Sequence, residues 1–224
     1  MLVLLLALAP FAAAVSLRWL NPPTSAFMLA ARMAALEQGD RHYRTEYDWV
    51  SLEQISPQAA IAVIASEDQQ FPFHFGFDLH SIREAVQAHE HGAKLRGAST
   101  ITQQVTKNLF LWPGRSFLRK AVEAGLTLTL EAALPKERIL EIYLNVAQFG
   151  RGIYGVEAAA LHFFHEHAHD LNSEQSALLA VVLPNPVMLR VDAPSPYVLG
   201  RRDWTLHQMA NLGGPAYLHG IESR

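Results

Sequence analysis

The sequence predicts a chain made mostly of helices, folded as one domain behind a short apolar N-terminal segment. Three observations carry this. Apolar residues at helical spacing recur along the chain, and several of these stretches open on a Ser or Asn able to cap a first turn. Only one stretch, 42–49, alternates in the manner of a strand. No repeat and no low-complexity linker interrupts the chain beyond the N-terminal segment, so 21–224 reads as a single domain long enough for a sizeable core. Half of the residues are hydrophobic and 17% are charged, a balance that leans towards association with a membrane. A formal net charge of -3 sets aside a general nucleic-acid binder. Cysteine is absent, which removes disulfides and thiol chemistry.

Taken in order, Met1 to about Val15 is almost wholly apolar, and the first charge is Arg18. That is short for a bilayer span unless it is stretched to Leu20, giving about 20 residues. The expectation is an uncleaved membrane anchor over 1–20, with a leader cut near Ala12-Ala13-Ala14 as the rival. After Pro22-Pro23, Ser25 caps a helix that runs through Glu37 to Gly39. Tyr43, Thr45, Tyr47 and Trp49 then share one side of a half-buried strand or extended arm. Ser56-Pro57 is a cap and first-position pair for an apolar helix that delivers Glu67 at its C-terminal end. Burial and the negative end of the helix dipole both disfavour the charged carboxylate, so the pKa of Glu67 should rise and make it a better general base. A frayed helix end with a solvated Glu67-Asp68 pair is the plain alternative. Phe71, Phe73, Phe75 and Phe77 have period two, but Pro72 and Gly76 argue for an ordered loop. Ser81-x-x-Glu84 reads as a capping box opening a helix to about Gly92.

The stretch from Gly97 to Glu123 is the one the remainder serves. With Ser99 as cap, Thr100, Gln103, Gln104, Lys107 and Asn108 fall within an arc of roughly 140° on a helix, beside an apolar stripe of Ile101, Val105 and Leu109. Gly97 allows a close approach at the helix start, and helix N-termini near a lysine favour anions, phosphates especially. Beyond the Pro113-Gly114 turn come Arg115, Arg119, Lys120 and Glu123. On spacing alone, Arg119 and Glu123 could be an exposed pair worth little.

Downstream, 121–134 is an apolar helix and Pro135 starts the next, ending near Asn145. Gly150-Arg151-Gly152 leads to an alanine-rich helix over 156–164. His162, His165, His167 and His169 do not place three ligands on one helix face, so a solvated helix end is expected rather than a metal site. Asn172 with Gln175 caps a helix through Leu183, and a last helix over about 196–212 carries Arg201 and Arg202.

Five ordered stretches resemble the peptidoglycan glycosyltransferases, the polymerising domains of class A penicillin-binding proteins and their monofunctional relatives. They are Glu67-Asp68-x-x-Phe71-x-x-His74-x-Gly76, the run Gly97 to Gln104 with Lys107-Asn108, Arg119-Lys120-x-x-Glu123, Lys136-x-x-Ile139-Leu140-Glu141-x-Tyr143-Leu144-Asn145, and Gly152-x-x-Gly155-Val156-x-x-Ala159-Ala160. No Ser-x-x-Lys occurs, so the penicillin-sensitive transpeptidase chemistry is missing. The resemblance implies a mainly α, lysozyme-like glycosyltransferase domain with a membrane-facing jaw and an N-terminal membrane anchor, on the periplasmic side of the cell inner membrane. His89, Glu90 and His91 lie in the jaw segment and put its deep insertion in doubt.

The implied substrates are lipid II and the growing glycan strand, together with membrane lipid and other cell-wall synthesis or division proteins as partners. Glu67 would deprotonate the 4-hydroxyl of the acceptor sugar, which attacks the anomeric carbon of the donor and expels undecaprenyl pyrophosphate with inversion. Lys107, Arg115, Arg119 and Lys120 would hold the departing pyrophosphate, helped by the Ser99-Thr100 helix start. Asp68, Gln103, Gln104 and Asn108 join them as substrate-side residues, with Asp68 supporting Glu67. Glu123 would position the cations or bind a divalent ion, magnesium or manganese; no other cofactor is implied. The resemblance makes Glu141 and Asn145 scaffold. A lytic enzyme using one Glu as general acid, and a non-catalytic membrane-tethered scaffold, are the alternatives.

Overall fold

The computed structural model describes residues 2–90, 99–112, 114 and 116–222. The expectations placed on Gly97, Pro113, Arg115 and His91 lie outside these residues, as do the side chains of His89 and Glu90. In chain order the described residues form α1 (Leu2–Ser16), α2 (Ala26–Glu37), β1 (Glu46–Tyr47), α3 (Pro57–Glu67), α4 (Leu79–Glu90), α5 (Ile101–Phe110), α6 (Phe117–Ala133) and α7 (Lys136–Val146). There follow β2 (Gln148–Gly150), β3 (Ile153–Tyr154), α8 (Val156–Phe164), α9 (Ser173–Val182), α10 (Pro196–Asn211) and α11 (His219–Glu222).

The mainly helical expectation holds, and α3 is its centre. Its residues from Ala59 to Ala65 are all buried, as expected of a helix apolar on every side. Ser56 Oγ accepts from the Gln58 amide at 3.3 Å and donates to Leu171 O at 2.7 Å, so the cap also ties α3 to the segment before α9. Helices α9 and α10 pack along α3, while α5 packs on α6 and α7.

Several boundaries differ from the sequence reading. The cap of α5 is Thr100, not Ser99: its hydroxyl accepts from the Gln103 amide while Gln103 Oε1 accepts from the Thr100 amide, a reciprocal box that Ser99 cannot share. Asp78 rather than Ser81 opens α4, accepting from the His80 and Ser81 amides at 3.0 and 2.9 Å. The helix expected from 121 begins at Phe117, because Ser116 caps it. The alternating arm over 42–49 is mostly extended coil, and only Glu46–Tyr47 pair, in parallel, with Ile153–Tyr154. The other two strands went unread, since β2 and β3 are three and two residues long, too short for a periodic signal. Gly152 (φ +79°) joins them where a Cβ would stand 2.3 Å from Arg44 O. Asn145 closes the same region, exchanging hydrogen bonds with both backbone groups of Val50, which fits the scaffold role expected of it.

Within the stretch expected as an anchor, 1–20, the described residues form one helix. Helix α1 covers 15 residues with Pro10 inside it, about 22 Å of rise against a hydrocarbon core of about 30 Å. Among the described residues no helix is long and apolar enough to cross a membrane. Ala14 and Leu17 are buried, with α1 lying along α6.

Gly76 has φ +80°, and a Cβ there would lie 2.8 Å from Thr127 Cγ2 on α6. Its carbonyl accepts from the Thr100 hydroxyl at 2.7 Å. Gly76→Ala should therefore cost about 1–3 kcal/mol in backbone strain plus the displacement of Thr127. Chemical denaturation would show this, and a loss below about 0.5 kcal/mol would mean that the loop shifts freely.

Candidate active site

Helix α3 ends where the sequence reading places it, with Glu67 as its last residue and half-buried. Desolvation pushes the Glu67 carboxyl above the usual glutamate range; the Gln104 hydrogen bond and the charges of Lys107 and Arg201 oppose the rise, while Asp68 adds to it. Gln104 Nε2 donates to Glu67 Oε2 at 2.8 Å, and the Tyr143 hydroxyl donates to Gln104 Oε1 at 3.1 Å. This chain orients one carboxylate oxygen and leaves Oε1 for another partner. Burial holds the Tyr143 phenol well above its ordinary pKa, so it remains a donor.

Asp68 does something different from Glu67. Its oxygens lie 3.0 and 2.9 Å from His74 Nε2, and Oδ2 also accepts from the Ile101 amide at 3.0 Å. Asp68, expected on the substrate side, also braces α3, the 71–76 loop and the start of α5 while it lines the cleft at Glu67. Thr100 and Gln103 are likewise buried in the capping box, and Asn108 is buried on α5. The helix start uses the polar atoms of Thr100 and Gln103, and Thr100 still lines the cleft at Glu67. Ser99 is exposed at the rim. With Glu67, Asp78, His80 and Ser99 it lines a cleft of about 320 Å³.

The cations lie on α5 and α6. Lys107 on α5 is half-buried, and its ammonium lies 5.8 Å from the centre of the Phe27 ring. Burial lowers its pKa, and the charges of both Glu123 and Glu67 act to raise it. Lys107 thus sits in the fields of both the base at the end of α3 and the carboxylate on α6. In that cluster Lys120 Nζ is 2.5 Å from Glu123 Oε1, and Arg119 Nη1 is 3.6 Å from Glu123 Oε2. Arg119 Nε donates to Trp112 O at 3.1 Å. The side chains of Arg119 and Glu123 are only 11% and 6% exposed, which overturns the reading of this pair as a solvated face. Glu123 is thus shared by two cations, and the charge of a third, Lys107, acts on the same group. Among the described residues no three metal-capable side chains gather.

Behind the cluster, Lys136 Nζ donates to Glu131 Oε1 at 2.8 Å and the Thr102 hydroxyl to the same oxygen at 2.5 Å. This buried set braces α5, α6 and α7, with Lys136 also 4.5 Å from the centre of the Phe71 ring. In the sequence alone Tyr143 has no role beyond its place in a motif, and Arg201 no role at all. Tyr143 sits inside a recognisable motif, but no local signal marks Arg201, which reaches Glu67 only because α10 packs on α3. The histidines end apart, with His162 on Glu46 at 3.0 Å and His167 on Glu157 at 2.6 Å.

The site thus combines a half-buried glutamate at the end of α3 with an ion cluster on α6 whose Arg119 and Glu123 side chains are nearly buried. The family model described as Transglycosylase matches residues 33–210. The chain belongs to the transglycosylase family. An Escherichia coli protein named biosynthetic peptidoglycan transglycosylase is 52% identical over 197 residues, 88% of this chain and 81% of its own length. Relatives of the same name from Pectobacterium carotovorum and Klebsiella oxytoca are each 50% identical, over 201 residues (89% of this chain, 82% of the relative) and 197 residues (88% and 81%). The transglycosylase match spans every residue of the cleft and of the ion cluster.

Proposed function

We propose that this chain is a peptidoglycan glycosyltransferase that polymerises lipid II into β-1,4 glycan, with Glu67 as general base. The observation that supports the reading is that α5, whose Gln104 donates to Glu67 at 2.8 Å, also carries Lys107, while α6 gathers Arg119 and Lys120 around Glu123. Glu67 takes the proton of the acceptor 4-hydroxyl, whose oxygen attacks the anomeric carbon of the donor. The bond to the pyrophosphate breaks, and the leaving group carries the electron pair towards Lys107, Arg119 and Lys120. Fixed cations that strengthen their hold as charge develops accelerate this step. Glu123 keeps Arg119 and Lys120 aimed. Lytic cleavage would need no such cation set.

A lipid-linked substrate requires the site at a bilayer. Phe117 and Leu118, which open α6, and Trp112, which follows α5, are exposed apolar side chains suited to a lipid surface near Arg119 and Lys120. With α1 as the membrane-proximal segment, the site would face the periplasmic side of the inner membrane, in a lysozyme-like lobe with α4 at the base of a jaw. Incubation of the purified chain with lipid II tests the assignment: polymer supports it, glycan fragments from preformed peptidoglycan support a lytic enzyme, and neither product supports a scaffold.

The pH dependence follows from Glu67. The base works ionised, so activity should fall as pH drops through a pKa above the ordinary value of about 4.3. Gln104→Leu removes the donor that favours the charged form, so the acid limb of kcat/KM should move to higher pH. Arg201→Ala should move it in the same direction. A pH–rate profile with an unmoved limb in Gln104→Leu would separate Gln104 from the base.

A further inference from the structure

Arg138 on α7 lies outside the cleft at Glu67, in the wall of a second cavity of about 330 Å³. Its guanidinium has an acceptor on every nitrogen. Nε donates to Leu17 O at 2.9 Å, Nη2 to Leu20 O at 3.0 Å and Asn21 Oδ1 at 2.7 Å, and Nη1 to Glu141 Oε1 at 2.7 Å. It also stacks 5.1 Å from the centre of the Trp49 ring and is only 13% exposed. Three of these bonds hold the residues that follow α1. From the other side, Arg18 Nη1 donates to Ala133 O, the last residue of α6, at 2.7 Å. Along the helix, the Phe11 ring rests where a Cβ on Gly125 would meet it at 3.5 Å.

We propose that Arg138 is a positioning residue for the ion cluster: by clamping residues 17–21 it seats α1 on α6 and sets the angle at which α6 presents Arg119 and Lys120. The catalytic consequence rests on the leaving-group reading of those cations. A lever argument gives its size. Arg119 lies 14 residues from Ala133, about 21 Å along the helix, so a tilt of about 5° at the pinned end displaces it by about 2 Å. Misplacement by 1 Å can cost about 10²-fold in a preorganised site. Helix α6 also packs on α5 and α7, so a partial loss is expected. A guanidinium suits the task because its planar fork reaches acceptors in several directions at once, which a single ammonium cannot reproduce.

The absence of cysteine makes the test direct. Nitroxide labels at Ala12→Cys with Glu174→Cys report α1 against the α3–α9 core, and labels at Ala121→Cys with Glu174→Cys report α6. All three positions are exposed. In Arg138→Ala both distance distributions should broaden. In the unlabelled full chain, turnover of lipid II should fall about tenfold while affinity for a non-reactive analogue changes less than threefold. Arg18→Ala, an exposed residue whose loss threatens the fold less, should give a weaker effect of the same kind. Unchanged α6 distances in both variants overturn the proposal, as does unchanged turnover with broadened distances while Arg119→Ala still slows the reaction. If Arg119→Ala also turns over normally, the fault lies in the leaving-group reading, and the positioning role falls with it.

Discussion

Replacing Glu67 with Gln is expected to lower polymerisation by about 10²- to 10⁴-fold while leaving the fold intact. The amide keeps the shape, and its carbonyl can still accept from Gln104 Nε2, which now lies 2.8 Å from Glu67 Oε2. Only the ability to take a proton is lost. The same variant should be more stable than the wild type at neutral pH. The folded-state pKa of Glu67 is raised, chiefly by desolvation. The stability linked to its protonated form is therefore fully present below the unfolded value of about 4.3 and is lost as pH rises through the folded value. Glutamine does not ionise and escapes that loss. Thermal melts should show a higher midpoint for Glu67→Gln at pH 7.5 and none of the difference near pH 3.5. Polymerisation within about threefold of the wild type would exclude Glu67 as the base. A midpoint difference that persisted at low pH would trace the gain to packing instead.

Lys107→Ala and Arg119→Ala should each slow single-turnover elongation by roughly 30- to 1000-fold, which corresponds to about 2–4 kcal/mol for a charge-assisted contact at a partly desolvated site. Binding of a non-reactive lipid II analogue should weaken less, because the contact tightens as the pyrophosphate gathers charge. The fold supports a large value for Arg119: its side chain is nearly buried and held by Trp112 O and Glu123 before any substrate arrives. An exposed pair would be worth about 0–1 kcal/mol and less than about tenfold. Weakened binding with normal turnover would make these residues docking contacts. Small changes in both quantities would sink the leaving-group role.

Much of this site was legible in the chain itself. The caps at Ser25, Ser56 and Asn172 are local chemistry, since a side-chain oxygen and an amide two or three residues away need nothing else, and each falls where the sequence puts it. The run Gln104, Lys107 shares a face because of helical spacing alone, and Glu67 ends α3 because the apolar run stops there. The family, and with it the class of chemistry, was readable from five motifs in order, because such residue types at those spacings rarely coincide.

What needed the tertiary structure is everything decided by which elements meet. Thr100 rather than Ser99 caps α5 because its hydroxyl also donates to Gly76 O, 24 residues away. Asp68 is held by His74 and the Ile101 amide while Glu67 is held by Gln104, a difference in partners that adjacency in the chain does not show. Arg119 and Glu123 look like a surface pair in one dimension and become a buried one only when Trp112 O and Lys107 close around them. Arg201 and Arg138 carry no local signature at all. Burial, and with it the strength of every charge in the site, depends on residues far apart in the chain, and spacing along one helix holds no record of what covers that helix.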